Sequence, residues 1–121
     1  MTIKVSIDAA GGDYGVPVTI EAGINSLSKY EDLQIHFVGD SFSIENELKK
    51  HRISNLLKNR IHITHATEVI SMDESPSNAL RRKKDSSMRI AINLVKDGIT
   101  DACVSAGNTG ALMAIARFVL K

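Results

Sequence analysis

The sequence contains few of the residues that mark specialised classes of protein. Its 121 residues include one cysteine, two prolines and no tryptophan, and aromatic residues make up only 4%. A single cysteine cannot form an internal disulfide, which argues against a small secreted scaffold and favours a reducing, cytoplasmic setting. So few aromatic rings also argue against a surface that stacks the bases of single-stranded nucleic acid.

The sequence also lacks a charge excess and a long apolar run. Fifteen Lys and Arg residues face 14 Asp and Glu residues, so no basic field indicates nucleic-acid binding. The longest apolar run, residues 111–120, is interrupted by Arg117, and a membrane-spanning helix needs about 20 such residues. We therefore expect no transmembrane segment and no signal peptide. With 43% hydrophobic and 24% charged residues, the chain is typical of one soluble globular domain over residues 1–121.

Segments with strand periodicity alternate with segments with helix periodicity. We predict strands at residues 3–8, 33–39, 61–64 and 101–105, the last of them buried. Helices are predicted after Pro17, after a Ser43 cap, around residues 56–57, from Pro76, after an Asp85 or Ser86 cap, and after residue 110. This order predicts an α/β fold with a mostly parallel sheet and helices packed on it. The last helix is apolar on nearly every side, so we expect it to be buried or covered.

Two glycine-rich turns follow predicted strands and lead into helices: the first glycine turn (residues 9–15) and the second glycine turn (residues 106–110). Ligands bind beyond the carboxyl ends of parallel strands, and free N–H groups at a helix start favour an anion. We therefore predict a phosphate or substrate site that contains Gly11, Gly12, Asp13, Ser105, Gly107, Thr109 and Gly110. The alternative is that the glycines only permit tight turns, since neither turn has the spacing of a P-loop or a dinucleotide fingerprint.

Two polar residues at these turns are the candidate catalytic side chains. Asp8 ends the first strand, although it could instead cap the turn, and Asn108 offers side-chain donors in the second glycine turn. The predicted Pro76 helix continues into a basic run of one helical turn, Arg81, Arg82, Lys83 and Lys84. Neighbours on a helix lie about 100° apart, so the run cannot all face one ligand. It is either a solvated face or partly a contact for an anionic substrate.

The histidines and the cysteine are interpreted as structural. The four histidines are not spaced as zinc ligands, and His65, at a strand end, is the best exception. Cys103 lies in the predicted buried strand, which favours a small core residue over a nucleophile. We accordingly predict neither a metal nor a cofactor.

Four stretches together resemble one family. They are residues 8–13 with Pro17, residues 72–77, residues 79–88 and residues 101–113, in the same order and across the whole chain. The chain resembles the acyl-acyl carrier protein:phosphate acyltransferases, the PlsX family of bacterial phospholipid synthesis. Ala10 stands where Met is usual, and family members are much longer, so the chain is similar to their N-terminal portion.

The resemblance implies a three-layer α/β/α fold akin to phosphotransacetylases and isocitrate-type dehydrogenases. It also implies a homodimer that moves a fatty acyl group from the carrier-protein thioester to inorganic phosphate. The acyl phosphate would then feed a glycerol-3-phosphate acyltransferase, and the enzyme would work in the cytoplasm at the inner membrane face. Two alternatives stay open: a phosphate-binding fragment without turnover, and a phosphotransacetylase-like enzyme that uses coenzyme A thioesters.

Overall fold

The computed structural model describes residues 1–121 as four parallel strands and six helices. The strands are β1 (Ile3–Asp8), β2 (Leu33–Gly39), β3 (Ile61–His65) and β4 (Ala102–Val104), in the order β3-β2-β1-β4. The helices are α1 (Val16–Lys29), α2 (Ser41–Lys49), α3 (Asn55–Lys58), α4 (Pro76–Arg82), α5 (Ser87–Lys96) and α6 (Thr109–Leu120). The predicted α/β class and parallel sheet are confirmed. None of the six helices combines the length and apolar character that crossing a bilayer would require.

Alternation along β2 divides the core between the two faces of the sheet. Ile35 and Phe37 pack with α1 and α2 on one face, around Ile20, Leu27 and Ile44. Val38 packs on the other face with Ala91 and Leu94 of α5. A second cluster on that side joins α4, α5 and α6. The result is three layers, as expected from strand periodicity and helix amphipathicity.

The edge position of β4 corrects the prediction of a buried strand. β4 pairs only with β1, so Val104 is 56% exposed and Ala102 is also exposed, whereas Cys103 is half-buried. Helix α6 is buried on one side only, and the expectation that something covers its other side stays a prediction. Its inner residues Ala111 and Ile115 are buried, but Met113, Phe118 and Leu120 are exposed.

The predicted N-terminal cap is correct for α5 and wrong for α2. Ser86 caps α5, one of the two caps predicted, by accepting a hydrogen bond from Arg89 N. Helix α2, however, is capped by Asp40 rather than Ser43. The Asp40 carboxylate accepts from Ser43 N at 3.0 Å, so Ser43 lies inside the first turn. Both residue types cap helices well, and the geometry of the strand end decides between them.

Candidate functional site

The strand order brings the two glycine turns together. β1 and β4 are adjacent and parallel, with Ile7 opposite Val104. Asp8 and Ser105, the next residues along each strand direction, therefore meet at the carboxyl edge of the sheet. This edge is where parallel sheets place their ligands.

A chain of hydrogen bonds joins these strand ends to α5. Asp8 is only 2% exposed, and its carboxylate accepts from Ser87 Oγ and, at 2.8 Å, from Ser105 Oγ. Ser105 Oγ in turn accepts from Gly107 N at 3.1 Å. The Asp8 carboxylate is thus held by hydroxyls from two other segments, and it fixes the start of the second glycine turn.

The two glycine turns touch each other where they lack side chains. A Cβ on Gly11 would lie 2.7 Å from Asp8 Oδ2 and 3.1 Å from Gly107 N. A Cβ on Gly12 would lie 3.2 Å from Ala106 Cβ, and Gly12 also has a φ of 92°. Glycine here does more than permit a tight turn, because it lets the two backbones approach each other.

Each turn ends at a helix start with free N–H groups. Gly15 precedes α1 without any side-chain cap. Asn108 caps α6, since its Oδ1 accepts from Ala111 N at 3.1 Å. The N–H groups of Asn108, Thr109 and Gly110 have no acceptor within the chain. These groups, on the buried Asn108 and the exposed Thr109 and Gly110, form an electropositive site together with the dipole of α6.

Asn108 is held in place from a third segment. It is 7% exposed, and its Nδ2 donates to Ser71 O at 3.1 Å and to Glu74 O at 2.8 Å. Both ends of its amide are therefore engaged within the chain. The Asn108 side chain therefore anchors the start of α6 to residues 71–74, and its predicted contact with a ligand stays a prediction.

The remaining predicted site residues differ in their surroundings. Asp13 and Thr109 are exposed beside the two turns. Gly110 makes room for α4, because a Cβ there would lie 2.9 Å from Pro76 Cγ. In the basic run, Arg81 and Lys84 line one cleft, whereas Arg82 and Lys83 do not line it. The run does not form a full helical turn, because α4 ends at Arg82, but its four cations still do not all line one cleft.

The structure gives the histidines and Cys103 ordinary surroundings. His65 Nδ1 accepts from Ser41 N at 3.1 Å at the start of α2. The His36 and His62 rings stack 4.4 Å apart, and burial, followed by the nearby His62 and Lys4, lowers the pKa of His36. Burial raises the pKa of the Cys103 thiol to about 11. No group of three or more His, Cys, Asp or Glu side chains is arranged to hold a metal ion.

The sequence analysis did not single out Ser87 or Arg89, whose side-chain environments are notable in the structure. Ser87 lies 79 positions from Asp8, yet its hydroxyl donates to the Asp8 carboxylate. Arg89 has buried guanidinium nitrogens without partners. Asp85 and Ser86 indicated a helix cap, but no local pattern shows which buried group a capping segment will meet.

Comparison with known proteins gives consistent results. The sequence model of a family described as "Fatty acid synthesis protein" matches residues 3–121. Proteins named "Phosphate acyltransferase" from Ruthia magnifica, Vesicomyosocius okutanii and Hydrogenovibrio crunogenus are 65%, 66% and 54% identical over 121 residues. These matches cover 100% of this chain and 35% of each relative. The chain therefore spans about a third of the length of the relatives that it matches.

Proposed function

The chain belongs to the fatty acid synthesis protein family, and on that premise we propose that it forms the phosphate-binding part of a phosphate acyltransferase. The proposed reaction transfers a long-chain acyl group from an acyl carrier protein thioester to inorganic phosphate and releases the carrier thiol. Its acyl phosphate product would serve a glycerol-3-phosphate acyltransferase in phospholipid synthesis. The observation that carries the proposal is the contact between the two glycine turns. A Cβ added to Gly11 would lie only 3.1 Å from Gly107 N.

The chemistry needs few reactive side chains. Phosphate is itself the nucleophile, so no activated serine or cysteine is required. The leaving group is a thiolate, whose conjugate thiol has a pKa near 8.5. The protein must hold phosphate close to the thioester carbonyl and stabilise the oxyanion that forms there. The free N–H groups of Asn108, Thr109 and Gly110 suit one of these tasks, and the first glycine turn suits the other.

In this proposal, the two buried polar residues position the backbone and do not react. Asp8 holds Ser105 and Ser87, and Asn108 joins the start of α6 to the segment before α4. Both residues are almost fully buried. Buried polar residues of this kind fix the positions of nearby backbone N–H groups. Such precise placement is what stabilisation of a transition state requires.

The wider assignments rest on the family and belong to the same proposal. Residues 1–121 would be one α/β domain of a longer cytoplasmic enzyme that works as a homodimer at the inner membrane face. Carrier proteins of fatty acid synthesis are acidic, so Arg82 and Lys83 would steer them towards the site. Steering by exposed charges weakens with salt, because the Debye length falls to about 8 Å at 0.15 M. Arg82→Ala or Lys83→Ala should therefore raise the KM for the donor, most strongly at low salt.

A thiol-release assay on the intact protein tests the proposal. The thioester between a long-chain acyl group and acyl carrier protein should be cleaved, with release of the carrier thiol, only when phosphate is present. Gly107→Val should abolish the release, because its added methyl groups obstruct approach to the backbone of the second glycine turn. Gly98→Ala controls for loss of stability alone, since its φ of 75° strains an added side chain while Gly98 lies at the far end of α5 from the site, and it should keep the thiol release.

The outcomes distinguish the open alternatives. Faster release from an acyl-coenzyme A would favour a phosphotransacetylase-like enzyme. Phosphate binding without any thiol release would favour a binding module. Release that proceeds equally without phosphate, or equally in Gly107→Val, would overturn the proposed site.

A further inference from the structure

Arg89 has the only buried side-chain nitrogens in the chain that lack a hydrogen-bond partner. They are Nε and Nη1 of its guanidinium group. Leaving a charged donor buried and unpaired is costly, and native proteins rarely do so without a functional reason. The position adds to the cost, because Arg89 lies in the first turn of α5, where the helix dipole disfavours a cation.

The surroundings of Arg89 add positive charge and supply no acid. A cleft of about 410 Å³ is lined by Leu80, Arg81, Lys84, Arg89 and Phe118. No carboxylate lines it, and none of its three cations forms a salt bridge. The Arg89 guanidinium carbon lies 5.6 Å from the centre of the Phe118 ring. Phe118 therefore covers one face of the guanidinium, and Nη2, the one nitrogen of the group that is not fully buried, lies at the edge that a ligand meets.

We propose that this cleft, the Arg89 cleft, binds a phosphate group at a site separate from the two glycine turns. Three cations without a counter-charge favour a dianion, and Arg89 Nη2 together with Nε can donate two parallel hydrogen bonds to phosphate oxygens. Phe118 lies nine residues along α6 from Thr109, which corresponds to about 13 Å. The site thus stands apart from the proposed acyl-transfer site, and the inference does not depend on that reaction.

Nuclear magnetic resonance of the intact protein tests binding at this site directly. The Arg89 Nε–H signal should shift when inorganic phosphate is added, because the unpaired donor gains an acceptor. The shift should persist in Gly107→Val, because this substitution obstructs the second glycine turn and its nearest contact, the flexible end of Met88, does not line the cleft. Arg89→Gln should weaken phosphate binding at the cleft about ten- to hundredfold. Arg89→Lys should recover only part of the loss, because it keeps the charge without the planar fork.

Matched variants separate a built site from diffuse attraction. Arg81→Gln and Lys84→Gln remove exposed cations that line the cleft, and Arg82→Gln removes an exposed cation of α4 that does not. The first two should weaken the shift of the Arg89 signal, and the third should leave it unchanged. An equal loss in Arg82→Gln would overturn the proposal.

A second arm identifies the source of the phosphate group. Sedimentation with phosphatidylglycerol vesicles, compared with phosphatidylcholine vesicles, detects binding to a lipid headgroup. Arg89-dependent sedimentation without a response to inorganic phosphate would assign the cleft to lipid phosphate. A response to inorganic phosphate alone would assign it to a soluble ligand. If Arg89 responds to neither, no phosphate site exists there.

Discussion

The two glycine turns lie side by side at one edge of the sheet, but they are built in different ways. The first glycine turn depends on backbone conformation, since Gly12 and Gly15 have φ values of 92° and 63° and no side chain caps α1. The second glycine turn contains no residue with a positive φ. Ser105 Oγ and Asn108 Oδ1 hold it instead by accepting from Gly107 N and Ala111 N.

This difference explains why glycine occurs in each turn. In the first, Gly12 and Gly15 adopt a conformation that other residues avoid, and only Gly11 is needed for a close contact instead. In the second, glycine avoids contacts, because a Cβ on Gly107 would meet Met88 Cε at 3.1 Å and one on Gly110 would meet Pro76. Similar composition therefore has two physical causes, and substitutions at the two turns should have different costs.

The largest effect is expected at Asp8, which connects the two turns. Asp8→Ala removes the acceptor of both the Ser87 and the Ser105 hydroxyls. Because each buried donor left without a partner costs about 1–3 kcal/mol, the free energy of unfolding should fall by about 3 kcal/mol. Urea denaturation measures this change. Asp8→Asn keeps the shape and one acceptor and should lose less than half as much. A fall below about 0.5 kcal/mol in Asp8→Ala would show that the two turns are not coupled through this carboxylate.

The next effect compares one glycine in each turn directly. Gly12→Ala should lower the free energy of unfolding by about 1–2 kcal/mol, because L residues disfavour its positive φ. Gly107→Ala should cost less than about 1 kcal/mol, since its nearest neighbour is the flexible end of Met88. Thermal or urea unfolding of both variants gives the ranking. The reverse order would contradict the distinction between a turn governed by dihedral angles and a turn governed by contacts.

The order of strands and helices could be predicted because it depends on local periodicity. The position of Asp8 at a strand end and the two turns followed from that order. The contact between Asp8 and Ser87 did not, because it requires α5 to pack beneath the end of β1. The edge position of β4 likewise depends on strand order, and nothing within its three residues indicates which neighbours it has. The Arg89 cleft is lined by residues of α4, α5 and α6. No local sequence pattern could predict it, because it depends on how these helices pack.

A smaller effect is expected at Asn108, the cap that only the second turn has. Asn108→Ala removes the acceptor of Ala111 N and the donors to two carbonyls. Loss of a helix cap costs about 1 kcal/mol, so this variant should be destabilised by at least that amount. Asn108→Ser keeps a capping oxygen and should regain part of the loss in urea denaturation. Equal stability of the Ser and Ala variants would show that the cap contributes nothing and that anchoring to residues 71–74 carries the whole effect.

The smallest effect is expected at Cys103, in the strand before the second turn. Its partner in the first strand, Ser6, is fully buried and donates to Ala91 O at 2.8 Å, whereas Cys103 is only half-buried. Burial raises the pKa of the Cys103 thiol to about 11, above its ordinary value near 8.5. The folded protein therefore holds this proton more tightly than the unfolded chain, so the stability that the protonated thiol contributes is complete below about pH 8.5 and is lost as the pH rises towards 11.

Cys103→Ala should leave acyl transfer within a few-fold and flatten this alkaline decline in urea denaturation. In the native wild type, thiol labelling at pH 8 should be slow. Rapid labelling, or an acyl adduct on Cys103 after mixing with the donor, would show a reactive thiolate and contradict direct attack by phosphate.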